Sequence, residues 1–128
     1  MHINKYNPSE SIAADEWLAI DELERSDLVR EFHEGLDGPP DEDSLPGHVI
    51  LHVIVENQIA MDVELVPETI AKLVRQGLDR HEAVHAVGAL ISVQMFNLSQ
   101  GKIEKFCPRK YKRQLTKLTA KRWLKGKY

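Results

Sequence analysis

Cysteine is nearly missing from this chain: among 128 residues there is one, Cys107. An internal disulfide is therefore excluded, as is a cysteine-based zinc ribbon, and the composition suits a reducing compartment. Any metal has to be held by His, Asp or Glu. Long apolar runs are missing too. No stretch approaches the roughly 18 residues that a membrane span needs, and Met1-His2-Ile3-Asn4-Lys5 lacks the apolar block of a secretory signal. The expectation is a soluble, cytoplasmic protein with no membrane partner. At this length one modest hydrophobic core is affordable, and two separate domains are not.

Basic residues are scarce until late in the chain. Residues 1 to 101 hold 6 Lys and Arg against 19 Asp and Glu, a balance of -13, whereas residues 102 to 128 hold 11 against 1, a balance of +10; together these give the net charge of -3. This division predicts a helical domain over residues 1 to 101 and a basic C-terminal extension over 102 to 128. A chain so polarised either folds its basic end onto its own acidic surface or offers it to an anionic partner. Docking on the acidic N-terminal region, of the same chain or of another copy in a homo-oligomer, is the expected use. A protein partner or nucleic acid is the alternative.

Strand signals are few, and helical periodicity runs through most of the chain. After Asn7-Pro8-Ser9, a helix-start pattern, Ile12, Trp17, Ile20, Leu23, Leu28, Val29 and Phe32 recur near helical spacing up to His33-Glu34-Gly35. This reads as one helix or as two broken near Ser26-Asp27. Gly, Pro, Asp and Glu dominate residues 35 to 47, which predicts a loop. Residues 48 to 61, HVILHVIVENQIAM, are ambiguous in their β-branched content. No convincing second strand exists to pair with them, so a helix is expected. Pro67 opens a further helix that stops at Gly77, and Asp79 starts the next, over residues 79 to 99, which is apolar nearly all round. Beyond Cys107-Pro108, residues 109 to 125 form an amphipathic pattern with Tyr111, Leu115 and Leu118 on one face. The fold class is all-α: a small helical bundle with a basic C-terminal helix or tail.

Four of the six histidines fall in two short windows, His48-x-x-x-His52-x-x-x-Glu56 and His81-Glu82-x-x-His85. Eight residues span about 12 Å as a helix and about 26 Å as a strand, so only a helix lets His48 and His52 approach one ion. If residues 48 to 61, 67 to 76 and 79 to 99 run up, down and up, both pairs lie at the same end of the bundle, and His33 comes there as well. His48, His52, His81 and His85 are therefore the candidate ligands of a divalent metal, zinc above all, with Glu56 and His33 close by as supporting groups. His-Glu-x-x-His also occurs in zinc peptidases, where the Glu activates a metal-bound water. That makes Glu82 the candidate catalytic base of a small metal-dependent hydrolase. Two observations pull against this. Asp79-x-x-Glu82 has the spacing of a capping box, and the third histidine of the extended zinc motif is replaced by Ile91. A hydrogen-bonded core cluster of histidines is the structural alternative.

The segments Trp17-Leu18-Ala19-Ile20-Asp21-Glu22, Leu28-Val29-Arg30-Glu31-Phe32-His33, His52-Val53-Ile54-Val55-Glu56-Asn57-Gln58-Ile59-Ala60 and Gly77-Leu78-Asp79-Arg80-His81-Glu82-Ala83-Val84-His85-Ala86 together resemble a family of small bacterial proteins classed as a domain of unknown function. The likeness covers roughly residues 15 to 98. It implies a helical bacterial protein and supplies no activity, and the basic tail lies outside it. The leading expectation is a metal-binding helical protein. Its rivals are the hydrolase using Glu82 and a non-enzymatic interaction module whose basic tail binds a protein or nucleic acid.

Overall fold

A computed structural model describes residues 3–36, 38 and 40–128, and the described residues contain seven helices and no strand. These are α1 (Ala14–Leu18), α2 (Glu22–Glu34), α3 (Leu45–Ala60), α4 (Val66–Arg75), α5 (Arg80–Ser99), α6 (Pro108–Lys117) and α7 (Ala120–Leu124). The all-α expectation holds. None of the helices is long and apolar enough to cross a membrane. Met1 and His2, read in the N-terminal stretch, and Asp37 and Pro39, read as part of a loop, lie outside the described residues.

Several boundaries differ from the sequence expectation for local reasons. The break in the N-terminal region falls at residues 19 to 21, because Asp21 caps α2 by accepting from the Leu23 backbone N–H at 3.2 Å. Ser26 stays helical, its hydroxyl donating back to the Glu22 carbonyl. Helix α3 starts earlier than residue 48 and takes Pro46 into its first turn, where a missing N–H costs nothing. Between α4 and α5 the chain turns at Gly77, whose φ of 107° is closed to most side chains.

Helix α3 explains why its own sequence is hard to read. It is buried on two sides, so it has no polar face to betray a period. On one side Leu45, Val49 and Val53 pack with Tyr6, Trp17, Ile20, Leu28 and Val29 of the N-terminal segment, α1 and α2. On the other side Val55 joins a second core with α4, α5 and the C-terminal helices. Tertiary burial thus outweighs the strand preference of its Val and Ile residues. One chain holds two cores that share a single helical wall.

Residues 102 to 128 are integral to the second core. Tyr111, Leu115, Leu118 and Ala120 are buried in it. The Tyr111 hydroxyl donates to Gln58 Oε1 at 2.6 Å, and Lys72 Nζ donates to the Leu115 and Thr116 carbonyls at the end of α6. Buried Gln94 holds the connecting loop through both backbone groups of Cys107. The basic segment therefore packs chiefly on α5 and α4, and the acidic α1–α2 region is not its main docking surface. The reason is apolar area: the buried face of α6 finds a core to join, whereas α1 and α2 already close against α3. The lysines and arginines of α6 and α7 stay exposed, Lys112 meeting Glu64 at 2.6 Å.

Leu115 has no exposed surface. Its replacement by alanine is expected to lower the unfolding free energy of the whole chain by about 2–5 kcal/mol, the usual cost of a buried Leu→Ala cavity. Urea unfolding followed by far-UV circular dichroism checks this, and an unchanged midpoint would mark the segment as an appendage.

Candidate metal centre

The two cores meet around five histidines. His33 comes from the last turn of α2, His48 and His52 from the first half of α3, and His81 and His85 from the first two turns of α5. One ring nitrogen of each lies within 4.8 Å of the corresponding nitrogen of every other. All four expected ligands come together, and His33, expected only nearby, is a full member of the group. Contacts step along α3 and α5 in opposite directions, from His48 beside His85 to Glu56 beside Arg80. The site thus forms where the helices cross and not at two helix starts lying side by side.

Hydrogen bonds on the far side of two rings decide which nitrogen is free. The Val29 carbonyl can only accept, so His33 Nδ1, 2.8 Å away, carries the proton and donates. Its Nε2 has no partner, although the residue is 1% exposed. His81 Nε2 is a second buried nitrogen without a partner. Buried polar atoms are rarely left so, and two in one cluster mark a place for a ligand.

His52 is oriented by a longer chain. The Tyr6 hydroxyl lies 2.6 Å from Glu56 Oε2 and 2.9 Å from His52 Nδ1. Glu56 is also bridged by Arg80, at 2.8 Å to Oε1 and 2.9 Å to Oε2. A carboxylate so paired is ionised and accepts only, so the single phenol proton goes to Glu56. The phenol oxygen then accepts from His52 Nδ1–H, leaving His52 Nε2 bare and 3.0 Å from His85 Nε2. This is the arrangement that sets a metal-binding imidazole: the remote N–H is fixed, and the other nitrogen faces inward. Glu56 thus reaches His52 through the Tyr6 hydroxyl.

The electrostatics favour the neutral form of His48, His52, His81 and His85. Burial lowers the pKa of His48 and His81, and that of His85 falls to about 4, in each case reinforced by the neighbouring imidazoles. His52, the most enclosed of these four, is pushed down furthest for the same reasons. Burial also raises the Tyr6 phenol well above its ordinary value, with the Glu56 charge adding to it, so the donor stays protonated. For Arg80, burial works against the charge, but the hydrogen bonds and charge of Glu56 outweigh it and raise its pKa.

Glu82 stands elsewhere. Its carboxylate accepts from the Trp123 indole Nε1–H at 2.8 Å and ties α7 to the start of α5. It is not among the residues whose donor atoms converge. The capping box is half formed: Asp79 accepts from the His81 backbone N–H, while Glu82 faces Trp123.

Two participants escaped the sequence reading. Tyr6 lies in an unpatterned N-terminal segment with nothing nearby to single it out. Arg80 did leave a signal, because a cation at the first position of a helix opposes the macrodipole and needs a specific partner. That partner is Glu56, with the Pro8 carbonyl accepting from the same guanidinium at 2.9 Å. Beside His48, His52 and His85 is a hollow of about 200 Å³ lined by Leu51, Val84, Gly88, Ala89 and Ser92.

Compared with models of known families, with curated proteins and with solved structures, the chain finds no match in any of the three. Function has to be argued from the geometry.

Two outcomes are expected. Unfolded histidines take up protons near pH 6.5, whereas the buried ones resist until lower pH, His85 until about 4. The unfolded state then binds more protons as pH falls through this window. The metal-free protein should be most stable above pH 6.5 and lose stability progressively towards pH 4, read as a falling Tm, with the slope reduced in His85→Gln. Removing the hydroxyl in Tyr6→Phe should destabilise the chain by about 1–3 kcal/mol by leaving His52 Nδ1 and Glu56 short of a partner. It should also weaken metal binding about 10–100-fold, measured by competition with a chromophoric chelator.

Proposed function

We propose that this protein binds one divalent transition-metal ion through His33, His48, His52, His81 and His85. The observation that carries this reading is the convergence of five imidazole nitrogens within 4.8 Å of one another, two of them, on His33 and His81, buried without a hydrogen-bond partner. Neutral imidazole is a ligand for zinc, copper, iron and nickel, and the depressed pKa values keep the rings in the form that binds. Zinc, the ion expected from the His-Glu-x-x-His spacing, would normally use four of the five nitrogens.

A hydrolase reading would need Glu82 at the metal, and its carboxylate is engaged by Trp123. The better supported role is metal binding in which Glu56, Tyr6 and Arg80 hold the ligand set from behind.

Elemental analysis of untagged protein purified without chelator tests the proposal. About one ion per chain is expected in the parent and none in His81→Ala/His85→Ala, with circular dichroism confirming that the variant is folded. A metal-free parent that also fails to take up zinc, iron, nickel or copper in dialysis would leave the histidines as a core cluster.

A further inference from the structure

The way the five rings surround one another says more than that a metal fits. The His52 ring centre lies 4.5 Å from that of His33, 4.9 Å from His48, 5.2 Å from His81 and 4.9 Å from His85. The other four follow one another in a closed circuit: His33 to His48 at 4.5 Å, His48 to His85 at 4.8 Å, His85 to His81 at 4.3 Å and His81 to His33 at 5.9 Å. His33 is thus across from His85, and His48 across from His81. That is a square pyramid with His52 at its apex. With metal–nitrogen bonds of about 2.1 Å, imidazoles at right angles on one ion have ring centres about 4.6 Å apart. Seven of the eight distances lie between 4.3 and 5.2 Å, and His33 with His81 is the one wider edge.

Resting on the metal-binding reading, we infer that the site takes a five- or six-coordinate ion such as iron(II), nickel(II) or copper(II) in preference to tetrahedral zinc, and that the position opposite His52 receives a small exogenous anion. Tetragonal nitrogen sets are suited to such ions, whereas zinc favours four ligands. No sixth His, Cys, Asp or Glu among the described residues joins the converging group, so the last position falls to solvent or an added ligand. Charge selects the kind of ligand. Five neutral imidazoles leave the full +2 of the ion uncompensated, and the nearby Glu56 carboxylate is already bridged by Arg80. A dication in a largely buried site gains from binding a negative ligand. Access lies on the side of His48, His81 and His85, which are partly exposed, while His52 and His33 are enclosed.

The test uses the full chain loaded with one equivalent of cobalt(II), with azide as the probe anion. Five- or six-coordinate cobalt(II) absorbs weakly in the visible, and tetrahedral cobalt(II) absorbs far more strongly. The expected result is a weak spectrum that shifts saturably as azide is added, while sodium perchlorate, whose anion does not coordinate, produces no such shift at equal ionic strength. X-ray absorption of the same sample should count five imidazole nitrogens before azide and one further light-atom ligand after it. An intense tetrahedral spectrum, or one that azide leaves unchanged, would overturn the inference and leave metal binding intact. Failure of the chain to retain cobalt, iron, nickel, copper or zinc would instead overturn the metal-binding reading beneath it.

Discussion

A single buried carboxylate ties together the parts from which the site is made. Glu56, 2% exposed in α3, is bridged by Arg80 at the start of α5 and accepts from Tyr6 in the N-terminal segment. Through Tyr6 it reaches His52. Three stretches distant in sequence are thereby held in one register by charge-assisted hydrogen bonds that tolerate little displacement. A buried ion pair need not add net stability, because desolvation offsets much of the attraction. Its contribution here is positional: it determines which nitrogen of His52 faces inward.

The histidine cluster depends on the opposite kind of electrostatics. Burial and mutual repulsion act together to keep protons off His48, His52, His81 and His85, and at His81 they outweigh the opposing charges of Asp79, Glu82 and Glu56. Groups that would repel one another when charged can crowd together only when neutral, and neutral imidazoles present lone pairs. The same crowding that makes the cluster a poor home for protons makes it a good one for a cation. Glu56 is close enough to orient the cluster and, paired with Arg80, does not neutralise it.

Much of the fold was legible from local pattern. Helices over residues 48 to 61, 67 to 76 and 79 to 99 followed from apolar period and from Pro67, Gly77 and Asp79, and each lies within about three residues of an observed helix. Of the site, His48, His52, His81 and His85 were legible from spacing alone, since residues one helical turn apart share a face. His33 was placed near them by topology and turned out to be one of them. Where the tail packs was not legible: Tyr111, Leu115 and Leu118 stood out on one side of a helix, but nothing local encodes which core they join.

What the sequence by itself determined was the three helices between residues 48 and 99, the two histidine pairs and the lack of a cysteine set that could hold a metal. These follow from interactions reaching four residues or fewer along the chain. Only the tertiary structure decided that α3 is buried on two sides, that the basic segment joins the core with α4 and α5, that Glu82 faces Trp123, and that Tyr6, Glu56 and Arg80 are linked behind His52. Each of these joins residues more than ten positions apart, and no local periodicity encodes which distant side chain will fill a given space. The ring of imidazoles around His52 belongs to the second kind, because it exists only where three helices cross.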